Sequence, residues 1–104
     1  MSTLEREKVT DVLKALSDPV RLQIIYLLGQ KGLMNVNDIS SNFRISRPAI
    51  SHHLKVLKTA KIVKATKVGQ EVEYEFERKR LVAWLREIAN QLEACCPEAK
   101  SVGH

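Results

Sequence analysis

Ile45-Ser46-Arg47-Pro48-Ala49-Ile50-Ser51-His52-His53-Leu54-Lys55-Val56-Leu57-Lys58-Thr59-Ala60 is the stretch that decides the fold. Ser46 is a good helix N-cap, and Pro48 falls in the first turn, where its missing N–H costs little. The spacing therefore predicts a helix from Ser46 to about Ala60. At about 100° per residue, Ile50, Leu54 and Leu57 share one side, and Arg47, Ser51, Lys55 and Lys58 share the other. Pro48 and His52 border the polar side and His53 the apolar side. Such a helix packs its back on a core and shows a cationic front to solvent.

Upstream, Arg44-Ile45 reads as a tight turn after a short helix near Val36–Phe43, capped by Asn35 or Asn37. Asp18 and Pro19 suit the cap and first position of an earlier helix. It runs to about Leu28, is apolar nearly all round, and is ended by Gly29 and Gly32. Val9, Val12, Leu13 and Leu16 mark Leu4–Leu16 as an amphipathic first helix. Downstream the period changes. Val72, Tyr74 and Phe76 alternate with Glu71, Glu73, Glu75 and Glu77, a strand with one buried face. Ile62–Val68 is its partner across a Gly69-Gln70 turn. A last helix, about Lys79–Cys95, carries Leu81, Leu85, Ile88, Leu92 and Cys95 on one stripe, with Trp84 beside it. That stripe packs on its own domain, pairs with a copy of itself, or does both.

The expected fold is mainly α with a small β-hairpin, in the order α-α-α-α-β-β-α. Residues 1–96 form a single domain and 97–104 a flexible tail. At 104 residues and 11.8 kDa there is no room for a second domain, and the core is small enough that a partner would help. The longest wholly apolar run, Ile24-Ile25-Tyr26-Leu27-Leu28, is far short of the ~20 residues of a membrane span. The start, Met1-Ser2-Thr3-Leu4-Glu5-Arg6, has no apolar run behind a basic start and is not a signal peptide. The expected location is cytoplasmic, with no membrane partner.

The formal charge of +5 is unevenly spread. From Ile39 to Gln70 there is no carboxylate, while seven Lys and Arg residues make that segment +7 and leave the rest at −2. A one-signed patch attracts a polyanion and releases its counterions on contact. The short helix, turn and basic helix form a helix-turn-helix, whose second helix fits a DNA major groove. Arg47, Ser51, His52 and Lys55 stand where side chains reach bases and phosphates. The hairpin becomes a wing, with Lys67-Val68-Gly69-Gln70 at its tip and Gly69 permitting the turn. An acidic strand face turned to DNA would be repelled, so the wing contact is expected to be shallow.

Leu16-Ser17-Asp18-Pro19-Val20-Arg21-Leu22-Gln23-Ile24-Ile25 and Ile45-Ser46-Arg47-Pro48-Ala49-Ile50-Ser51-His52-His53-Leu54-Lys55-Val56-Leu57, with the Gly69 turn and the Tyr74 strand, resemble the ArsR/SmtB family of winged-helix repressors. The resemblance spans about residues 8–92. It implies a homodimer joined through the first and last helices. It also implies binding to a palindromic promoter site on double-stranded DNA, and repression. Arg47, Pro48, Ser51 and His52 match the family's recognition-helix positions, and many members release DNA when a metal or metalloid binds.

Two ligand positions of that family are unfilled. Asn35-Val36-Asn37-Asp38-Ile39 holds no Cys-x-Cys pair, and Lys79–Ala94 holds neither His nor Asp. Cys95 and Cys96 remain, the only cysteines of the chain. Vicinal thiols suit a soft, thiophilic ion, so arsenite or antimonite is the candidate inducer, with thiol oxidation second. As(III) and Sb(III) prefer three sulfurs, and a third would come from a second protomer or a small thiol. The alternative is that both residues extend the stripe and simply pack. No cofactor is required. An enzyme is not expected: no nucleophile–base pair, glycine-rich phosphate loop or Asp/Glu/His cluster is evident. A ligand-independent repressor of the same fold, and an adaptor that has lost DNA binding, are the other readings.

Overall fold

The computed structural model describes residues 5–95. It contains α1 (Arg6–Leu16), α2 (Pro19–Lys31), β1 (Met34–Asn35), α3 (Val36–Ser40), α4 (Arg47–Thr59), β2 (Val63–Val68), β3 (Glu71–Phe76) and α5 (Arg78–Cys95). The three strands form one antiparallel sheet in the order β1-β3-β2.

Three caps set the helix starts. The Asp18 carboxylate accepts from the N–H of Val20 at 2.8 Å and of Arg21 at 3.2 Å. Asn35 accepts from Asp38 N–H at 2.8 Å, and Ser46 Oγ from Ala49 N–H at 3.2 Å. Asn35 is thus the cap of α3, and Asn37 lies inside the helix. Val12 and Ala15 of α1, Ile24 and Leu28 of α2, Ile39 of α3, and Ile50, Leu54 and Leu57 of α4 meet in one core. Ile25 of α2, Ile62, Val63 of β2 and Leu81 of α5 complete it.

Several boundaries differ from expectation. α2 continues through Gly29 to Lys31 and stops at Gly32, which takes a left-handed φ of 86°. Gly29 stays helical because its helix is held from the side; a Cβ there would meet Phe76 Cδ2 at 3.6 Å. α3 ends at Ser40 rather than Phe43, since Ser41 and Asn42 turn the chain and Phe43 packs from outside the helix. β1 was not expected at all. Its two residues pair Met34 with Tyr74 and Asn35 with Glu73, and two residues are too few to show a period. The face of β3 that the alternation marks as buried is covered only near its end. Tyr74 and Phe76 are half-buried, whereas Val72 is 38% exposed, because the hairpin tip stands off the body.

The stripe on α5 divides in the same way. Leu81 is buried and Trp84 half-buried, but Leu85 and Leu92 are exposed, Leu92 at 62%. With Leu13 of α1 at 47%, an apolar face is left uncovered on α1 and α5. The radius of gyration, 16.4 Å, exceeds the ~13 Å of a compact domain of this length.

Candidate nucleic-acid interface

α4 is held from behind and open in front. Ile50, Leu54 and Leu57 have no accessible surface, while Arg47, Pro48, Ser51, His52, Lys55 and Lys58 are exposed. Burial of three branched side chains fixes the rotation of the helix, so the polar residues must face outward. Among the described residues, Arg47 and Lys55 make no hydrogen bond or ion pair, which leaves both cations available.

Arg21 fixes α4 from the side. Its Nε donates to Ala15 O at 2.8 Å and its second terminal nitrogen to Lys14 O at 3.1 Å. Its first terminal nitrogen lies 3.1 Å from His53 Nδ1. Ala15 O gains a partner this way, Lys14 O adds one to the Ser17 N–H and hydroxyl that already cap it, and the same guanidinium reaches the recognition helix. Partial burial pushes the Asp18 carboxyl up. The N–H groups of Arg21 and Val20, with positive charge at His53 and Arg21, pull it further the other way, below the usual carboxylate range.

Of the expected site residues, Arg47, Ser51, Gln70, His52 and Lys55 line two clefts beside α4, and Pro48 lines neither. One, of about 280 Å³, lies between α4 and the wing and brings Arg47 and Ser51 together with Gln70, Glu71, Asn35 and Tyr74. The other, of about 400 Å³, lies between α4 and α1 and joins His52 and Lys55 to Lys14, Arg21 and Asp11. Lys67 and Gly69 stand outside both, at the hairpin tip, where Gly69 takes a left-handed φ of 64°. The β2–β3 register pairs Lys67 with Val72, so its side chain shares the face of Val72 and Tyr74. Glu73 and Glu75 pair with Thr66 and Lys64 and project from the opposite face. Glu71 alone of that row reaches the cleft.

Arg21, Lys14, Asn35 and Glu71 were missing from the expected site. Arg21 sits in the Asp18-Pro19-Val20-Arg21 stretch, but its partners are too far along the chain to be visible from spacing. Cys95 is exposed at the end of α5, beside a small apolar cleft lined by Val9, Ile88 and Leu92. Its thiol donates to Leu92 O at 3.4 Å. Cys96, the other half of the proposed thiol pair, and the tail 97–104 lie outside the described residues. Among the described residues no cluster of His, Cys, Asp and Glu could hold a metal, and no helix is long and apolar enough to cross a membrane.

The same helices are found in known proteins. A family model described as bacterial regulatory protein, arsR family, matches residues 18–65, which hold α2, α3 and α4. The transcriptional repressor SdpR of Bacillus subtilis is 37% identical over 86 residues, covering 80% of this chain and 94% of that protein. The chain belongs to the arsR family. It is accordingly a DNA-binding regulator of transcription and not an enzyme. The arsenical resistance operon repressor of Staphylococcus xylosus is 35% identical over 75 residues, 72% of this chain and 71% of that one. Among solved structures, the homodimeric winged helix-turn-helix domain of a possible arsR-family regulator from Mycobacterium bovis superimposes with a TM-score of 0.66 at 29% identity. It covers 91% of this chain and 89% of the other. The mainly helical winged helix-turn-helix fold expected from the sequence is therefore the fold of this arsR-family chain, with a three-stranded sheet in place of the plain hairpin.

Proposed function

We propose that the chain is a cytoplasmic homodimeric repressor that lays α4 of each protomer in the major groove of a palindromic promoter site. The observation that carries this is the exposed row of Arg47, Ser51, His52 and Lys55 over a fully buried back. Arg47 is placed to bond two acceptors on guanine, Ser51 and His52 to donate to base or phosphate, and Lys55 to meet a phosphate. Pro48 sets the first turn of α4 against the groove. At the wing, Lys67, Gly69 and Gln70 approach the adjoining backbone. Dimerisation through α1 and α5 would cover Leu13, Leu85 and Leu92 and set two recognition helices about one DNA turn apart, ~34 Å.

Selection from a random-sequence duplex pool tests this reading. The expected product is an inverted repeat with half-sites about 10 base pairs apart. Affinity should fall with salt by about 0.9 log units per log unit for each phosphate neutralised. A flat salt response with no selected sequence would favour the adaptor reading.

Release by arsenite or antimonite at Cys95 and Cys96 is the finer part of the proposal. Its support is the exposure of Cys95 at the end of α5 and the likeness to an arsenical resistance repressor. A ligand at this seam would alter the angle between protomers and so the half-site spacing. Arsenite should release wild-type protein from DNA but not a Cys95→Ser, Cys96→Ser variant. Equal release of both would refute the thiol sensor, and release of neither would leave the ligand-independent repressor.

A further inference from the structure

One side chain joins the recognition unit to the wing. Asn35 ends β1 and caps α3. Its Oδ1 accepts from Asp38 N–H at 2.8 Å, and its Nδ2 donates to Glu71 Oε1 at 2.7 Å. The two ends of the amide have separate tasks: one closes the first helix of the helix-turn-helix, and the other grips the first residue of the returning wing strand. Glu71 follows directly on the Gly69-Gln70 turn. The backbone ladder between β1 and β3 stops at Asn35–Glu73, so this bond carries the connection one step closer to the tip. Beyond it the hairpin has its own β2–β3 ladder and exposed Val68 and Val72.

Glu71 also shares its cleft with Arg47. A loose carboxylate there would be drawn to the guanidinium, the strongest class of charge-assisted bond. Asn35 holds it instead, and Arg47 stays unengaged among the described residues.

We infer that Asn35 is a positioning residue for DNA recognition, which by gripping Glu71 fixes the wing against α4 and keeps that carboxylate off Arg47. The inference rests on the DNA-binding reading of the cleft. Two changes that preserve net charge test it. Asn35→Ser keeps a good helix cap but has no donor long enough to reach Glu71. The double variant Asn35→Asp, Glu71→Gln also keeps the cap and rebuilds the bond with its polarity reversed, Gln donating and Asp accepting.

The measurement is the affinity of each protein for a duplex that the wild type selects from a random pool, alongside its melting temperature. Asn35→Ser should bind roughly tenfold more weakly, because DNA must then displace Glu71 from Arg47, while its melting temperature changes little because the lost bond lies at the exposed surface. The double variant should return to within about threefold of wild type. Unchanged affinity in Asn35→Ser, a loss that tracks a fall in melting temperature, or no recovery in the double variant overturns the inference while the DNA-binding reading stands. Wild-type protein that selects no sequence overturns both.

Discussion

Arg47 and Lys55 share the front of α4 but are suited to different work. A guanidinium at the start of the helix can read a base; an ammonium two turns on is a point charge for phosphate. Arg47→Ala should cost about 1–3 kcal/mol of binding and relax the preference at one base position, seen by repeating the duplex selection. Lys55→Ala should weaken all sequences alike and lower the salt slope by about 1. Both residues were legible in the sequence because helical spacing alone puts them opposite Ile50, Leu54 and Leu57. Arg21 was not, since its bond to His53 joins residues 32 positions apart. Asp18 yields a pH prediction. Its folded carboxyl lies below the usual range, so its contribution to stability is full above the ordinary carboxylate pKa and is lost as pH falls through the lowered one. Asp18→Asn keeps a cap but removes this titration. Urea midpoints measured from neutral pH downward should fall less steeply in the variant than in wild type below about pH 4.

At the scale of elements, the reading helix depends on how it begins and ends. Ser46 caps the turn that carries Arg47 and Ser51. Ser46→Ala should cost about 1 kcal/mol of stability, measured by urea denaturation, and should weaken DNA binding because the first turn frays. At the other end, Lys61 takes a left-handed φ of 63°, a conformation that glycine adopts without strain. Lys61→Gly should therefore stabilise the protein by roughly 0.5–1 kcal/mol in the same assay. The long elements were visible in the sequence through caps and period. β1 was hidden because its strand character comes only from pairing with β3, a tertiary contact with no local sign. The same holds for the Asn35 bond to Glu71, 36 residues away, although the cap half of Asn35 could be foreseen from residue type.

For the whole molecule, the proposed second copy would cover the exposed face on α1 and α5. The stripe on α5 was plain from the sequence, but whether it packs at home or on a partner was not, because periodicity shows which residues share a face and not what covers them. Leu85 and Leu92 stay exposed in the single chain, so they do not pack at home. Replacing both by Glu should turn a species of about twice 11.8 kDa into a monomer by sedimentation, with binding to the full palindrome reduced to that of a single half-site. A dimer persisting unchanged in that variant would place the seam elsewhere.

Titrating ¹⁵N-labelled protein with its selected duplex, and following every backbone amide, tests the role of α4 most directly. The largest shifts should fall on residues 46–58, with smaller ones at 67–71, and all should shrink in high salt. Shifts confined to α5 or the outer face of α2, with the amides of α4 unmoved at saturation, would contradict it.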